Sequence, residues 1–262
     1  MAQASCDENV AIIGWGVCGK ATGYALGINW GVDRDYQFSG HINYDEIWKA
    51  DFFILCLPTP TFDGKQDITA IEKWCEKIKK YAKEKIVIIR STILPGTIDY
   101  LTEKYKLKLA HVPEFLTEAT ALEDAKHPEF LVVGARDLLI REKVKNLFNG
   151  KLNLPKNRII MCSTTTAEMI KYAMNSFFYL KVICGNELWD LARNCGADYG
   201  KVRYALETHK WGSKNGWDVW KGGKRGVDGK CLPKDIEAFT HKFSLPLLTK
   251  MQEINKELLE IK

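Results

Sequence analysis

No apolar run in this sequence approaches the roughly 20 residues that a membrane-spanning helix needs. The most apolar stretch, Phe52-Phe53-Ile54-Leu55-Cys56-Leu57, is far shorter, so no membrane partner is expected. Met1 to Val10 carry Asp7 and Glu8 and no apolar segment, so no secretory signal is expected either. The eight cysteines, at 6, 18, 56, 75, 162, 184, 195 and 231, form no CxxC pair and no disulfide-like spacing. A disulfide scaffold is excluded and no metal is expected; several of these thiols sit in apolar runs, where cysteine acts as a small hydrophobe. The expected compartment is the reducing cytoplasm, where a thiol stays free for chemistry. A basic cluster is missing too: 38 Lys and Arg against 33 Asp and Glu leave +5, spread along the chain. Such a balance helps attract an anionic small molecule and does not point to nucleic acid. There is no internal repeat and no low-complexity linker.

What is present is the composition of a globular chain. Its 262 residues are 46% apolar, 27% charged and 11% aromatic, which excludes disorder and allows a proper core. Short β-branched runs alternate with Lys/Glu-rich stretches in the first half. Val10 to Ile13, Phe52 to Leu57 and Ile86 to Ile89 read as strands, and Leu131 to Val133 and Ile159-Ile160 extend the series. Asp67 to Lys83 reads as a helix capped by Asp67, with Ile68, Ile71, Trp74 and Ile78 on one face. Strands alternating with helices predict an α/β fold with a parallel sheet covered on both faces.

The pattern changes near Ser163. Thr165-Thr166-Ala167-Glu168 has the form of a capping box, and no Pro or Gly follows until Gly185. A helix continuing to Cys195-Gly196 would run about 30 residues, or roughly 45 Å. So long an apolar helix predicts burial against a second copy, hence a homodimer. A shorter helix (Tyr199 to Glu207), a Trp/Gly/Lys-rich loop (Lys210 to Lys230), a helix from about Lys234 and an amphipathic stretch (Leu247 to Ile261) complete the chain.

Gly14-Trp15-Gly16-Val17-Cys18-Gly19 directly follows the first strand. In a nucleotide-binding βαβ unit the first Gly makes the tight turn and the second lets backbone approach a pyrophosphate. The third permits close helix–strand packing, and Val17 and Cys18 open the helix whose N-terminus faces the phosphates. An acid after the second strand would hold the adenosine ribose. Asp33 is the first candidate and Asp35 the second, either of which favours NAD over NADP; adjacent Arg34 pulls the other way. Asp33 lies about four residues early for this role, which removes one helical turn and keeps the helix in phase with the sheet. The plainer reading makes both acids turn residues.

From Ala50 onward, five separated motifs resemble the UDP-glucose/GDP-mannose dehydrogenase family. They are Leu57-Pro58-Thr59-Pro60, Arg90-Ser91-Thr92-Ile93-Leu94-Pro95-Gly96-Thr97, Pro113-Glu114-Phe115-Leu116-Thr117-Glu118 (followed by Ala121 and Asp124), Ala167-Glu168 with Lys171 and Asn175, and Gly226-Val227-Asp228-Gly229-Lys230-Cys231-Leu232-Pro233-Lys234-Asp235. The resemblance implies a shortened Rossmann-type NAD-binding domain over 1–162. An all-helical dimerisation domain with a long central helix and the catalytic Cys would occupy 163–262.

It further implies an NAD-dependent oxidoreductase that converts the C6 alcohol of a nucleotide-sugar, UDP-glucose or similar, to a carboxylate, as in polysaccharide biosynthesis. Cys231 would be the nucleophile, forming a thiohemiacetal and then a thioester, with Lys230 and Lys234 beside it to favour the thiolate. Lys171 and Asn175, four apart on one helix, would stabilise an oxyanion. Glu114, Glu118, Thr92 and Asp235 would handle protons and the hydrolytic water. Pro58, Thr59, Thr92 and Glu118 would also line the cofactor.

Each residue also has a plain structural reading: Cys231 as a buried thiol, Lys171 and Asn175 as a solvated stripe, Glu114 and Glu118 as charges on a short helical turn. The chain departs from the family pattern in three respects. The 35–45 segment is much shorter, a third Rossmann-like domain is expected beyond Asn255 in the family, and Val112, Ala119, Asp228 and Lys230 replace the usual Asn, Gly, Gly and Ser. The family's arginine that reaches a neighbouring subunit's substrate has Lys210 or Lys214 at a comparable distance here, while Arg225 lies closer to the loop. A two-electron 3-hydroxyacid-type dehydrogenase, which does not need Cys231, and a non-catalytic dimerisation module remain the competing readings.

Overall fold

The computed structural model describes residues 9–29, 31–33, 44–220, 222–229 and 231–261, with backbone alone at 44–46. Asp35, Arg34 and Lys230 lie outside the described residues. The strands are β1 (Val10–Ile13), β2 (Phe52–Leu55), β3 (Thr61–Phe62), β4 (Lys65–Gln66), β5 (Ile86–Ile89), β6 (Lys108–His111), β7 (Leu131–Ala135) and β8 (Ile159–Cys162). The helices are α1 (Val17–Leu26), α2 (Thr69–Tyr81), α3 (Thr97–Tyr105), α4 (Ala121–Lys126), α5 (Leu138–Leu152), α6 (Thr164–Cys195), α7 (Tyr199–Thr208), α8 (Leu232–Lys242) and α9 (Pro246–Glu260). The chain divides into two units, Met1–Pro60 with Asp67–Lys171 and Thr61–Gln66 with Tyr172–Lys262. The division falls within α6. Among the described residues, no helix is long and apolar enough to cross a membrane.

The first unit is built on a six-stranded sheet in the order β1-β2-β5-β6-β7-β8. Successive side chains of a strand point to opposite faces, so a sheet covered on both sides needs apolar residues throughout. Ala11, Ile13, Phe53, Leu55, Val87, Ile89 and Leu109 therefore pack with Ile71, Cys75 and Ile78 of α2 and Ile98, Leu101 and Tyr105 of α3. The alternate positions Val10, Ile12, Phe52, Ile54, Ile86, Ile88 and Ala110 pack with Leu26 of α1 and Val144 and Phe148 of α5. Each fully buried aliphatic or phenyl group contributes about 1.5–3 kcal/mol.

The sheet is not wholly parallel, contrary to the sequence expectation: β6 and β7 run antiparallel, Ala110 opposite Ala135. The connection from β6 re-enters the sheet at the end it left, whereas a parallel strand needs a crossover to the opposite end. Among the described residues, the second strand of the nucleotide-binding unit shows as one bridge, Ile13 to Val32.

Two capping expectations also shift. The first turn of α6 is held by Ser163, whose hydroxyl accepts from the Thr166 N–H at 3.2 Å. Glu168 does not close a capping box; its buried carboxylate accepts instead from the N–H groups of Gly96 and Ile98, each at 2.7 Å, and so caps α3. Asp67 accepts from the Thr69 N–H at 2.8 Å, one residue outside the helix start.

The second unit packs Tyr179 and Ile183 of α6 with Val227, Ile236 of α8 and Met251 and Leu258 of α9. Asn255 of α9 clamps the preceding loop, accepting from the Val227 N–H at 2.6 Å and donating to the Val227 carbonyl at 2.9 Å. The β3–β4 hairpin turns on Asp63 and Gly64, both at positive φ, and docks on α8. Thr61 donates to the Lys234 carbonyl at 2.9 Å, and the Gly64 N–H donates to Glu237 at 2.9 Å.

Candidate functional site

In the first unit the glycine turn has the geometry of an anion cradle. Gly14 has φ +92°, and a Cβ there would lie 2.3 Å from the Cys56 carbonyl oxygen; one on Gly19 would lie 1.8 Å from that of Gly14. Among the described residues, a Cβ on Gly16 would meet nothing within 4 Å. Gly16 caps α1, whose first turn carries no acidic residue, so the helix N-terminus keeps its positive end available to an anion. Asp33 Oδ2 accepts from the Trp15 N–H at 2.8 Å, which sets the acid against the turn. These features fit a dinucleotide: backbone space at Gly16, amides at Val17 and Cys18, and a carboxylate at the end of the bridge strand.

The loops after β2 and β5 are tied together beside this turn. Ser91 donates to the Leu57 carbonyl at 2.6 Å and accepts from its N–H at 2.9 Å, while Thr59 donates to the Thr92 carbonyl at 2.8 Å. Thr59 and Thr92 are buried and Pro58 is exposed.

Lys171, the last residue of the first unit, reaches Glu114. Its ammonium donates to the Glu114 carbonyl at 2.6 Å, lies 3.4 Å from the carboxylate and sits over the Phe115 ring. Burial pushes the Glu114 carboxyl up, but the Lys171 ammonium, the Leu116 N–H and Arg90 outweigh it and hold the group below the usual range. Glu118 stands on an exposed turn, Glu118–Thr120, whose start is fixed by Asp124 accepting from the Thr117 N–H at 2.8 Å.

In the second unit Asn175 donates to Asp235 at 2.9 Å, and Lys234 donates to the other carboxylate oxygen at 2.5 Å. Asp235 is buried. Its N–H donates to the Cys231 carbonyl at 3.1 Å, placing it one turn beyond the exposed thiol at the N-cap of α8. The Lys234 ammonium, expected to favour the thiolate, is thus engaged by Asp235. Arg225 is a structural cation here: buried, it forks onto Asp190 at 2.9 and 2.7 Å and reaches Asn186. The Lys214 carbonyl accepts from buried Lys181 at 3.4 Å.

Two first-unit residues, Arg90 and Cys56, carry no site role in the sequence analysis. Arg90 is buried, its Nε without a partner among the described residues and its guanidinium over Phe148. Its signal was the alternation Ile86, Ile88, Arg90, which places a cation on a core-facing position. Cys56 stands against α1, its sulfur 3.9 Å from the Thr22 hydroxyl, a neighbourhood readable only once β2 is known to end against the turn.

Residues 31–151 match the NAD-binding domain model of the UDP-glucose/GDP-mannose dehydrogenase family, and residues 165–257 match its central domain model. The glycine turn precedes the first match. The UDP-glucose 6-dehydrogenase YwqF of Bacillus subtilis is 30% identical over 220 residues, covering 78% of this chain and 48% of that protein. The GDP-mannose 6-dehydrogenase of Pseudomonas aeruginosa is 32% identical over 226 residues, covering 79% and 50%. The chain thus spans about half the length of the curated relatives it matches. The solved structure of a UDP-glucose dehydrogenase from Pyrobaculum islandicum shares the fold, with a TM-score of 0.82 at 24% identity over 99% of this chain and 69% of that one. Two domain models in family order, with NAD as the cofactor of the first, lead to one conclusion: the chain belongs to the UDP-glucose/GDP-mannose dehydrogenase family.

Proposed function

We propose that this chain carries the NAD-binding and catalytic parts of a nucleotide-sugar 6-dehydrogenase, which oxidises a sugar C6 alcohol to a carboxylate by two successive two-electron steps. The observation that carries the reading is the 2.9 Å bond from Asn175 to buried Asp235, one turn beyond the exposed Cys231 thiol. In this reading Cys231 is the nucleophile, Asn175 the amide donor and Asp235 the carboxylate, drawn from two distant motifs.

Gly14, Gly16, Val17, Cys18 and Gly19 hold the pyrophosphate of NAD, Asp33 the ribose, and Pro58, Thr59, Thr92 and Glu118 the remainder. NAD, when bound, supplies the hydride acceptor for each oxidation. The chain supplies the rest. In the first oxidation a base takes the C6 hydroxyl proton, a role we assign to Glu114, ionised beside Lys171, and Thr92. The Cys231 sulfur then adds to the aldehyde carbon, and the oxygen of the resulting thiohemiacetal carries the developing charge that Lys171 and Asn175 stabilise. After the second hydride leaves, a thioester remains. Water, oriented by Asp235 or Glu118, adds to it, expelling the thiol and giving the carboxylate. Four electrons leave the carbon and one oxygen atom enters.

A homodimer forms through α6, on which Met169, Met174, Phe177, Phe178 and Leu191 are exposed. The compartment that suits free thiols is the cytoplasm. The reading is tested by mixing the protein and NAD with UDP-glucose, GDP-mannose or UDP-N-acetylmannosamine and following NADH by absorbance. Turnover with one of them, and protection of Cys231 from iodoacetamide by that sugar nucleotide, is expected. Absence of turnover with all, with equal labelling in every case, overturns it.

A further inference from the structure

The turn that receives the cofactor also carries a pair of thiols. Cys18 and Thr22, four apart on α1, share the helix face toward Cys56, which lies directly after β2, and the Cys18 and Cys56 thiols interact. The Cys56 sulfur is also 3.9 Å from the Thr22 hydroxyl. Its backbone is fixed by the Cys56 N–H donating to Ile13 at 2.7 Å, and its carbonyl closes on Gly14. Both residues are half-buried, so neither is sealed from solvent. Buried Arg90, whose Nε has no partner among the described residues, lies within electrostatic reach of both thiols.

We propose that Cys18 and Cys56 are a modification site, oxidised by a hydroperoxide to a reversible disulfide that bridges the glycine turn and weakens NAD binding. The reaction balances as two thiols plus one hydroperoxide giving one disulfide, one water and the corresponding alcohol, which is a second water when the oxidant is hydrogen peroxide. The Cys18 thiolate takes the terminal peroxide oxygen, becoming a sulfenic acid. Cys56 then attacks that sulfur, loses its proton, and displaces hydroxide.

The surroundings suit this order. The Cys56 hydrogen bond and Arg90 draw the Cys18 thiol down to about 7 against the opposing effect of burial. At pH 7 such a thiol is about half ionised, against about 3% for an ordinary cysteine near 8.5. Because a weaker base is a poorer nucleophile, the net rate advantage is roughly threefold to fourfold. The Cys56 thiol is held up first by its hydrogen bond to Cys18 and by burial. Once Cys18 is a neutral sulfenic acid that charge disappears, while Arg90 still draws Cys56 toward its thiolate.

A disulfide fixes the two Cβ atoms about 3.5–4.5 Å apart with a torsion near 90°. That strap pins the first turn of α1 to the end of β2, so the amides of Val17 and Cys18 no longer adjust to a pyrophosphate. The effect on NAD rests on the cofactor reading above; formation of the disulfide does not.

The full chain is treated with hydrogen peroxide, digested without reductant and mapped by mass spectrometry. The expected product is a Cys18–Cys56 cross-linked peptide, reversed by dithiothreitol and slowed by saturating NAD. Cys56→Ser should instead accumulate a Cys18 sulfenic acid that dimedone traps, and Cys18→Ser should give neither species. NAD titration by calorimetry should show affinity lower by about tenfold in the bridged form, equivalent to ~1.4 kcal/mol. Peroxide that oxidises exposed Cys195 while Cys18 and Cys56 stay unlinked overturns the proposal. A bridge that leaves NAD affinity unchanged overturns its second half. A reduced protein that binds no NAD but still forms the bridge overturns the cofactor reading instead.

Discussion

Gly16 and Gly19 belong to one turn, yet among the described residues a methyl group meets nothing at the first and a carbonyl oxygen at the second. Gly16→Ala is therefore expected to leave unfolding stability within about 0.5 kcal/mol while weakening NAD binding. Gly19→Ala should cost on the order of 1–3 kcal/mol in stability, since the backbone must strain to admit it. Urea denaturation and NAD titration of the two variants separate these effects. His111 makes a second prediction. It is wholly buried with Nδ1 2.9 Å from the Ile89 carbonyl, and burial pushes its pKa down to about 3. The unfolded imidazole takes up a proton near 6.5 while the folded one stays neutral. Stability is then complete above about 6.5 and falls as pH drops toward 3, by up to about 1.4 kcal/mol per pH unit. Urea titrations between those pH values should show a shallower slope in His111→Leu than in the natural chain. An unchanged slope would contradict the burial argument. The glycines were legible in the sequence because a tight turn directly after a strand leaves a local trace. His111 left none, since its neutrality comes from neighbours that only the folded sheet assembles.

Among the elements, α6 was the most legible, because an unbroken helical pattern needs no partner to be recognised. Its first turn was not. Glu168 has the spacing of a capping box, but its carboxylate caps α3 across the fold at 2.7 Å on both bonds. Local spacing cannot reveal a partner about 70 residues distant. Hydrogen bonds to a buried charged acceptor contribute about 1.5–3 kcal/mol. Glu168→Gln, which turns an amide NH₂ toward one of those N–H groups, should lose about that much in urea unfolding. The β3–β4 hairpin was overlooked although its signal was present: Asp63-Gly64 between two short runs is the sequence of a type I′ turn. Gly64 has φ +74°, and a Cβ there would lie 2.3 Å from the His241 ring. Gly64→Ala should accordingly lower the stability of the second unit, with near-ultraviolet circular dichroism of its tryptophans as the readout. The antiparallel β6–β7 pair was not legible at all, because strand direction depends on where a connection re-enters the sheet.

For the molecule as a whole, the order of the five motifs carried more than any one of them. The proposed chemistry draws on both units: Lys171 donates to Glu114 in the first, and Asn175 donates to Asp235, one turn beyond Cys231, in the second. Apolar side chains exposed along α6 make association measurable; sedimentation of the natural chain should give a dimer, and charged substitutions at Phe177 and Leu191 should give monomers. The most direct test of the proposed chemistry is the amount of NADH formed per nucleotide-sugar consumed, in the natural chain and in Cys231→Ser. The account predicts two for the natural chain and no more than one for the variant, because without the sulfur the aldehyde cannot be held for a second oxidation. One NADH in the natural chain, or two in the variant, would contradict it.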